Sequence, residues 1–318
     1  MDVQTRHLRY FVAVAEELNF TRAAQRVHIA QQALSAQIKQ LERQLGVTLL
    51  ERSTRAVSLT PAGAGYLEDA RAILAHLERA GQRAAAVERG ARDRLVLGFT
   101  EGAALTLTEP ILTAYRTRHP AVTVELRQFN YDEPAAGLAD YTVDVAFLRL
   151  PIATTGLRVR TLFAEPLVVA VPVGHGLAGR SSVQVEDLLA EPILGSATTD
   201  PVWTAFWELR AHRNGAPAPV VSRSSTLLEE FMKVASGIGV VITTAAARWV
   251  PHPGVVLVPI ADAPRSELAV AAPTDVSTPL AESFMEVATR VRGRSPHLIA
   301  LLEKPDYTDA SVPGPLVL

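Results

Sequence analysis

The sequence contains no cysteine. That absence excludes a disulfide framework, a zinc ribbon and any thiol nucleophile. No apolar run approaches the roughly 20 residues needed to cross a bilayer, so no segment reads as a membrane span. The eight histidines are scattered without HExxH spacing. Neither a GxSxG elbow nor a phosphate loop is present, and Gly237-Ile238-Gly239 reads as a tight turn. These gaps point away from an enzyme and toward a chain with no cofactor and no metal site. The amino terminus, MDVQTRHLRYFVAVAEELNF, carries acids within its apolar stretch and no small-residue cleavage pattern. It does not read as a secretory signal, so a cytoplasmic location is expected.

The chain has 318 residues, 48% of them hydrophobic and 20% charged. That is the make-up of a soluble globular protein with two or three domains. The net charge of -2 is unevenly spread. Up to Gly65, Arg6, Arg9, Arg22, Arg26, Lys39, Arg43, Arg52 and Arg55 outnumber Asp2, Glu16, Glu17, Glu42 and Glu51. A basic head on an acidic body suits a head that meets phosphates and a body that does not.

Apolar positions Leu8, Phe11, Val12, Ala15 and Leu18 recur at helical spacing. Asn19 and Thr21 then offer capping oxygens to a second helix through Val27. After the turn His28-Ile29-Ala30, Leu34, Ile38, Leu41 and Leu45 mark a third helix ending at Gly46. Three close-packed helices of this kind suggest a helix-turn-helix. Two short apolar runs, Val47 to Leu50 and Val57 to Leu59, flank a polar tip and predict a hairpin wing. Thr60-Pro61 is a strong helix start. In the long helix that follows, Leu67, Ala70, Leu74, Leu77, Gly81 and Ala84 form a seam at alternating spacings of three and four. Such a seam invites a partner helix, the competing reading being a helix that lies on its own domain.

From Arg94 onward, strand-like runs alternate with helical stretches: LVLGF, a helix from Leu107 to His119, VTVEL, a short helix, then VDVAFL. A second group comprises PLVVAV, PILG, a helix from Trp203 to Arg213, VVS, a helix from Thr226 to Ser236, GVVIT and VVLVPI; ELAVAAP and a helix through Val291 close the series. This rhythm predicts parallel α/β sheets in two subdomains with a ligand cleft beyond the strand ends.

The run LRYFVAVAEELNFTRAAQRVHIAQQALSAQIKQLERQLGVTLLERSTRAVSLTPAG resembles the amino-terminal domain of the LysR family over essentially its whole length. It combines FTRAAQRV in the second helix, QQALS at the start of the third, IKQLERQLGV in its body, and LLER and LTPAG at either end of the wing. The resemblance continues more loosely through the rest of the chain. It implies an α+β multidomain fold: a winged helix-turn-helix over residues 1–60, a linker and dimerisation helix over 61–92, and an effector-binding domain over 93–303. The last is two-lobed, like type 2 periplasmic binding proteins, with lobe I from 93–164 and 264–303 and lobe II from 165–263. Residues 304–318 are expected to form a flexible tail. Gln32 stands where the family often has proline or serine, and Ala36 where arginine is frequent, so a base preference does not transfer.

A helix in the major groove reads bases from its amino-terminal end. Gln31, Gln32, Ser35 and Gln37 are the candidates for that role, with Thr21, Arg22, Arg52, Ser53, Thr54 and Arg55 as backbone contacts. Double-stranded DNA with a dyad operator, RNA polymerase, and a second copy of the chain in a homodimer or homotetramer are the partners the resemblance implies. For the cleft the candidates are Thr100, Glu101, Gln128, Asn130, Arg149, Ser196, Thr198, Thr199, Ser224 and Thr226. The last two introduce a helix whose free amides suit an anion. Arg149 suits the bidentate grip of a carboxylate, and its segment is similar to family members that sense acidic products of aromatic catabolism. The competing reading of Arg149 is a salt bridge. Glu101 points the other way, repelling an acidic effector or preferring a cationic one. A constitutive DNA-binding or architectural protein without an effector is the alternative function. A transport-type solute-binding protein would have no use for the wing or the seam.

Overall fold

The computed structural model describes residues 3–52, 57–90, 93–276 and 278–304. It forms two compact units, Met1–Gln82 and Arg83–Leu318.

In the first unit, α1 (Thr5–Glu17), α2 (Phe20–Arg26) and α3 (Gln31–Leu45) pack their apolar faces on one another. Phe11, Val14, Leu34, Ile38 and Leu41 are fully buried between them. Asn19 caps α2 by accepting from the amides of Thr21 and Arg22 at 2.9 and 3.0 Å, as its position before the helix predicts. Ala23 and Ala24 are buried, and their small side chains bring α2 close against the core. Gly46 ends α3 in the left-handed region at φ 73°. The wing is a short antiparallel pair, β1 (Leu50–Arg52) and β2 (Val57–Leu59). It is tied to α3 by Glu42, whose carboxylate accepts from the amides of Leu49 and Leu50 at 2.9 and 3.1 Å.

The 30-residue α4 (Pro61–Gly90) follows. Thr60 caps its start, accepting from the Gly63 amide at 2.8 Å and donating its hydroxyl to the Thr48 carbonyl at 2.8 Å. The expected seam divides in two. Leu67 and Ala70 belong to the core of the head itself, with Leu74 packed against it, whereas Leu77, Gly81 and Ala84 are exposed, as are Ile73 and Val87 outside the seam.

The second unit opens with β3 (Arg94–Phe99), α5 (Thr108–Arg118), β4 (Thr123–Gln128) and β5 (Val145–Arg149). Next come β6 (Leu157–Glu165), β7 (Leu167–Pro172), β8 (Ile193–Ser196), α6 (Pro201–Trp207) and β9 (Val220–Ser224). The chain then forms α7 (Leu227–Ala235), β10 (Val241–Thr244), β11 (Val255–Pro259), β12 (Ser266–Pro273), α8 (Pro279–Arg294) and α9 (Pro296–Leu302). One sheet has five strands in the order β4-β3-β5-β12-β6, and another has three in the order β10-β7-β11, beside the β8-β9 pair. Tyr115 of α5, Phe147 of β5 and Phe284 of α8 form the aromatic centre of the first core, with ring centroids 5.0 and 5.9 Å from Phe284.

Three expectations are corrected here. The sheets are not parallel throughout: β3 runs parallel to β4 and β5, and β8 to β9, but β12 is antiparallel to β5 and β6, and β7 is antiparallel to β10 and β11. The short helix expected between β4 and β5 is a chain of turns, because Ala136, Gly137 and Tyr141 all take positive φ, which no right-handed helix accommodates. The helix expected from Trp203 to Arg213 breaks at Leu209, also at positive φ, into α6 and a short 3-10 turn. β6 has no counterpart among the predicted runs. It is the edge of its sheet, and its Arg158 and Arg160 reach Glu282 on α8, so charged residues interrupt the apolar pattern. Of the expected tail, only Lys304 lies among the described residues.

Two glycines in α4 give opposite predictions. A Cβ on Gly63 would stand 2.0 Å from the Leu49 carbonyl oxygen, whereas one on Gly65 meets nothing within 4 Å. Gly63→Ala should destabilise the head by about 1–3 kcal/mol through overpacking. Gly65→Ala should stabilise it by about 1 kcal/mol from helix propensity. Thermal unfolding of the two variants checks this, and shifts of the same sign would contradict the packing.

Candidate functional site

The head presents the first turn of α3 to solvent. Gln31 and Gln32 are exposed there, and Ser35 is half-buried one turn on. Gln37 has an inward partner. Its amide oxygen lies 3.1 Å from Nε2 of His7, a fully buried histidine on α1 whose Nδ1 accepts from the Gln4 amide at 3.4 Å. Gln37 therefore braces α3 against α1. His7 escaped the sequence reading because a lone histidine among polar residues carries no periodic signal. Thr21 and Arg22 are exposed at the start of α2, and Arg22 folds back to the carboxylate and carbonyl of Glu17 at 3.1 and 2.6 Å. Arg52 closes β1 opposite Val57. Ser53, Thr54 and Arg55 lie outside the described residues.

In the second unit a cavity of about 200 Å³ opens beside the ends of β3, β5 and β10. Of the ten expected cleft residues, Thr100, Glu101, Arg149 and Ser196 line it. The other six do other work or lie off the lining. Gln128, Asn130 and Thr199 are exposed. Thr198 accepts from the Asp200 amide at 3.1 Å, and Asp200 in turn caps α6. Ser224 is buried and accepts from Nζ of Lys233 at 3.1 Å. Thr226 caps α7 by accepting from the Glu229 amide. The lining residues that sequence reasoning missed include Tyr131, Glu230, Thr244 and all three tryptophans of the chain, Trp203, Trp207 and Trp249. Three tryptophans in a sequence only 6% aromatic were the signal available for them. Trp203 stacks at tilted angles on both Tyr131 and Trp207, at 5.9 and 5.4 Å.

Arg149, the residue expected to grip a carboxylate, has an acidic partner within the chain. The guanidinium, 9% exposed, donates from Nη1 to Glu165 at 2.6 Å. Glu165 is fully buried, and its other oxygen accepts from the Ala246 amide at 3.1 Å. Of the two readings of Arg149, the structure shows the salt bridge. The start of α7 is likewise occupied: the Glu101 carboxylate accepts from the Leu227 amide at 2.9 Å and from the Tyr131 hydroxyl at 3.1 Å. Burial raises the Glu101 pKa above the ordinary carboxylate value, and these two hydrogen bonds oppose the rise.

Glu230, on the cavity side of α7, is 4% exposed. Burial pushes its pKa well above the ordinary value, and the neighbouring charges of Glu101 and then Glu229 push further, against a smaller pull from Lys233. The folded state thus holds this proton more tightly than the unfolded chain does. The stabilisation is present below the usual carboxylate range and is lost as pH rises through the raised value. Glu230→Gln removes the charge that is costly at neutral pH. The variant should melt above the wild type at neutral pH, with the two curves converging near about pH 4. A pH-independent difference would contradict the burial of an ionising group.

Residues 5–64 match the family model for the bacterial regulatory helix-turn-helix protein of the lysR family, and residues 88–292 match that for the LysR substrate binding domain. The chain is 40% identical over 192 residues to the transcriptional regulator AlsR of Bacillus subtilis, an alignment covering 60% of this chain and 64% of that one. It is 36% identical over 264 residues to the regulator YnfL of Escherichia coli, covering 79% of this chain and 88% of that one. The crystal structure of full-length BenM is similar at a TM-score of 0.54 and 26% identity, over 96% of this chain and all of that one. With both halves matched by their own models and a relative covered over most of its length, the chain belongs to the LysR family of helix-turn-helix transcriptional regulators.

Proposed function

We propose that this regulator binds a dyad operator in the cytoplasm as a pair of chains, and that a small organic molecule in the second-unit cavity alters its action on RNA polymerase. The observation that carries the reading is the coexistence, in one chain, of an exposed glutamine pair opening a packed recognition helix and a walled cavity at strand ends. A head alone would serve a constitutive DNA-binding protein, which has no use for such a cavity. In this reading the effector domain spans 93–303, with lobe I formed by 93–164 and 264–303 and lobe II by 165–263. The two places where the chain leaves and re-enters the five-stranded sheet, between β6 and β7 and between β11 and β12, support that division.

Gln31 and Gln32 read base edges, glutamine being suited to adenine. Thr21, Arg22 and Arg52 meet phosphates. The exposed Ile73, Leu77 and Val87 of α4 belong to the surface that pairs two chains, because one head covering half a turn of DNA binds weakly and two linked heads gain both affinity and dyad specificity.

Footprinting on the DNA upstream of the chain's own gene, with and without a panel of small organic ions, tests the whole reading. The expected result is a protected dyad whose pattern changes with one ion; a single unpaired half-site unaffected by any of them would overturn it. Gln31→Ala should relax base preference at one position by about 1–3 kcal/mol in competition binding. Gln37→Ala should instead destabilise the head by about 1–3 kcal/mol, seen as a lowered melting temperature, because it strands the buried His7. An exchange of these two effects would reverse the roles assigned to the two glutamines.

A further inference from the structure

Glu230 is an anomaly of the cavity, as are the buried indole nitrogens of Trp203 and Trp207, which have no hydrogen-bond partner among the described residues. The glutamate is 4% exposed and lines the void. Among the described residues its carboxylate has neither a hydrogen bond nor an ion pair, whereas Glu101 and Arg149 beside it each have partners. Leaving a carboxyl in such a place is costly unless something compensates its charge. Two positions in which an acidic ligand would be welcome already hold the chain's own carboxylates: Glu165 on one N–H of the Arg149 guanidinium and Glu101 on the Leu227 amide of α7. One guanidinium thus stands among three carboxyl groups. A carboxylate effector reaching the remaining N–H groups of Arg149 would stand beside Glu165 and face Glu101 and Glu230.

The remaining walls bear on the body of the ligand. Trp203, Trp207 and Trp249 line the void with Leu105, Leu227 and Ile242. Indole faces attract organic cations, and the apolar side chains favour an attached hydrocarbon over a hydrated metal ion. Among the described residues no group of three or more possible metal ligands occurs.

We infer that the cavity takes a small organic ammonium ion, with its cationic head between Glu230 and Glu101 and its apolar body against the tryptophans. This inference rests on the cavity being the effector site, and it replaces the organic acid expected from Arg149 with a ligand of opposite charge. Binding supplies the missing partner of Glu230, so the ligand stabilises the folded unit as well as occupying it.

Because every tryptophan of the chain lines the cavity, intrinsic fluorescence of the full-length protein reports occupancy directly. The probes are two pairs matched in shape and opposite in charge: butylammonium with butyrate, and benzylammonium with benzoate. The ammonium ions should change the emission saturably and raise the melting temperature, with the acids silent at equal ionic strength. Glu230→Gln, which is expected to fold with higher stability at neutral pH, should weaken ammonium binding at least tenfold. Saturation by the acids and not the ammonium ions would overturn the cationic class while leaving the cavity as an effector site. Ammonium binding unchanged in Glu230→Gln would overturn the placement of the head group. Silence from all four probes, with operator protection intact, would overturn both the class and the effector reading of the cavity.

Discussion

The hydrogen bond from the Leu227 amide to the Glu101 carboxylate, at 2.9 Å, fixes the character of the second unit. Glu101 follows β3 of the five-stranded sheet, whereas Leu227 opens α7, which packs on β7 of the other. One charge-assisted bond therefore joins the two halves of the fold at the mouth of the cavity. It also uses the helix terminus that would otherwise attract an anion. The Tyr131 amide, donating to the Ser225 carbonyl at 3.0 Å, and the Ala153 amide, donating to Asp200 at 2.9 Å, brace the same junction. With Arg149 neutralised by Glu165, the junction is held by internal charges, and Glu230 is left facing the void. In the proposed effector role, a ligand that alters the balance around Glu101 would act on a bond that links the two sheets of the second unit, the differential contact a two-state switch requires.

The head follows a different logic. Its helices are amphipathic, α2 and α4 are capped by Asn19 and Thr60, and its wing is tied down by Glu42 and Thr60. The His7–Gln37 contact adds a polar lock between α1 and α3 within an otherwise apolar interface. Rigidity of this kind suits recognition, because a helix that presents base-reading side chains must hold them within a fraction of an ångström of their targets.

These contrasts explain what could be read from the sequence. The head was legible because its signals are local: Asn19 before α2, Gly46 after α3, Thr60-Pro61 before α4, and apolar residues at helical spacing between them. Strand positions in the second unit were legible wherever both faces are buried, as in β5 and β7, and not at the edge strand β6, where arginines alternate with apolar residues. Strand direction was not legible, since the antiparallel entry of β12 between β5 and β6 joins segments about a hundred residues apart. The cleft was half legible. Arg149 and Glu101 announced themselves as charges at strand ends. Glu165, sixteen residues beyond Arg149, ends the edge strand β6 that the sequence pattern does not predict, and Glu230 sits in the pair Glu229-Glu230, which reads as a solvated helix face. The pair is split by the fold: Glu229 bonds Lys233 and the Ser225 amide, and Glu230 turns to the cavity.

The unpaired carboxyl in a sheltered cavity is the centre of this account, and carbon-detected NMR titration of the glutamate side chains in the ligand-free protein measures it directly. The Glu230 carboxyl should titrate well above the ordinary value of 4.5, with Glu101 raised as well. Glu230 titrating at the ordinary value would mean that water or a cation already compensates it, and the charge logic of the cavity would fail.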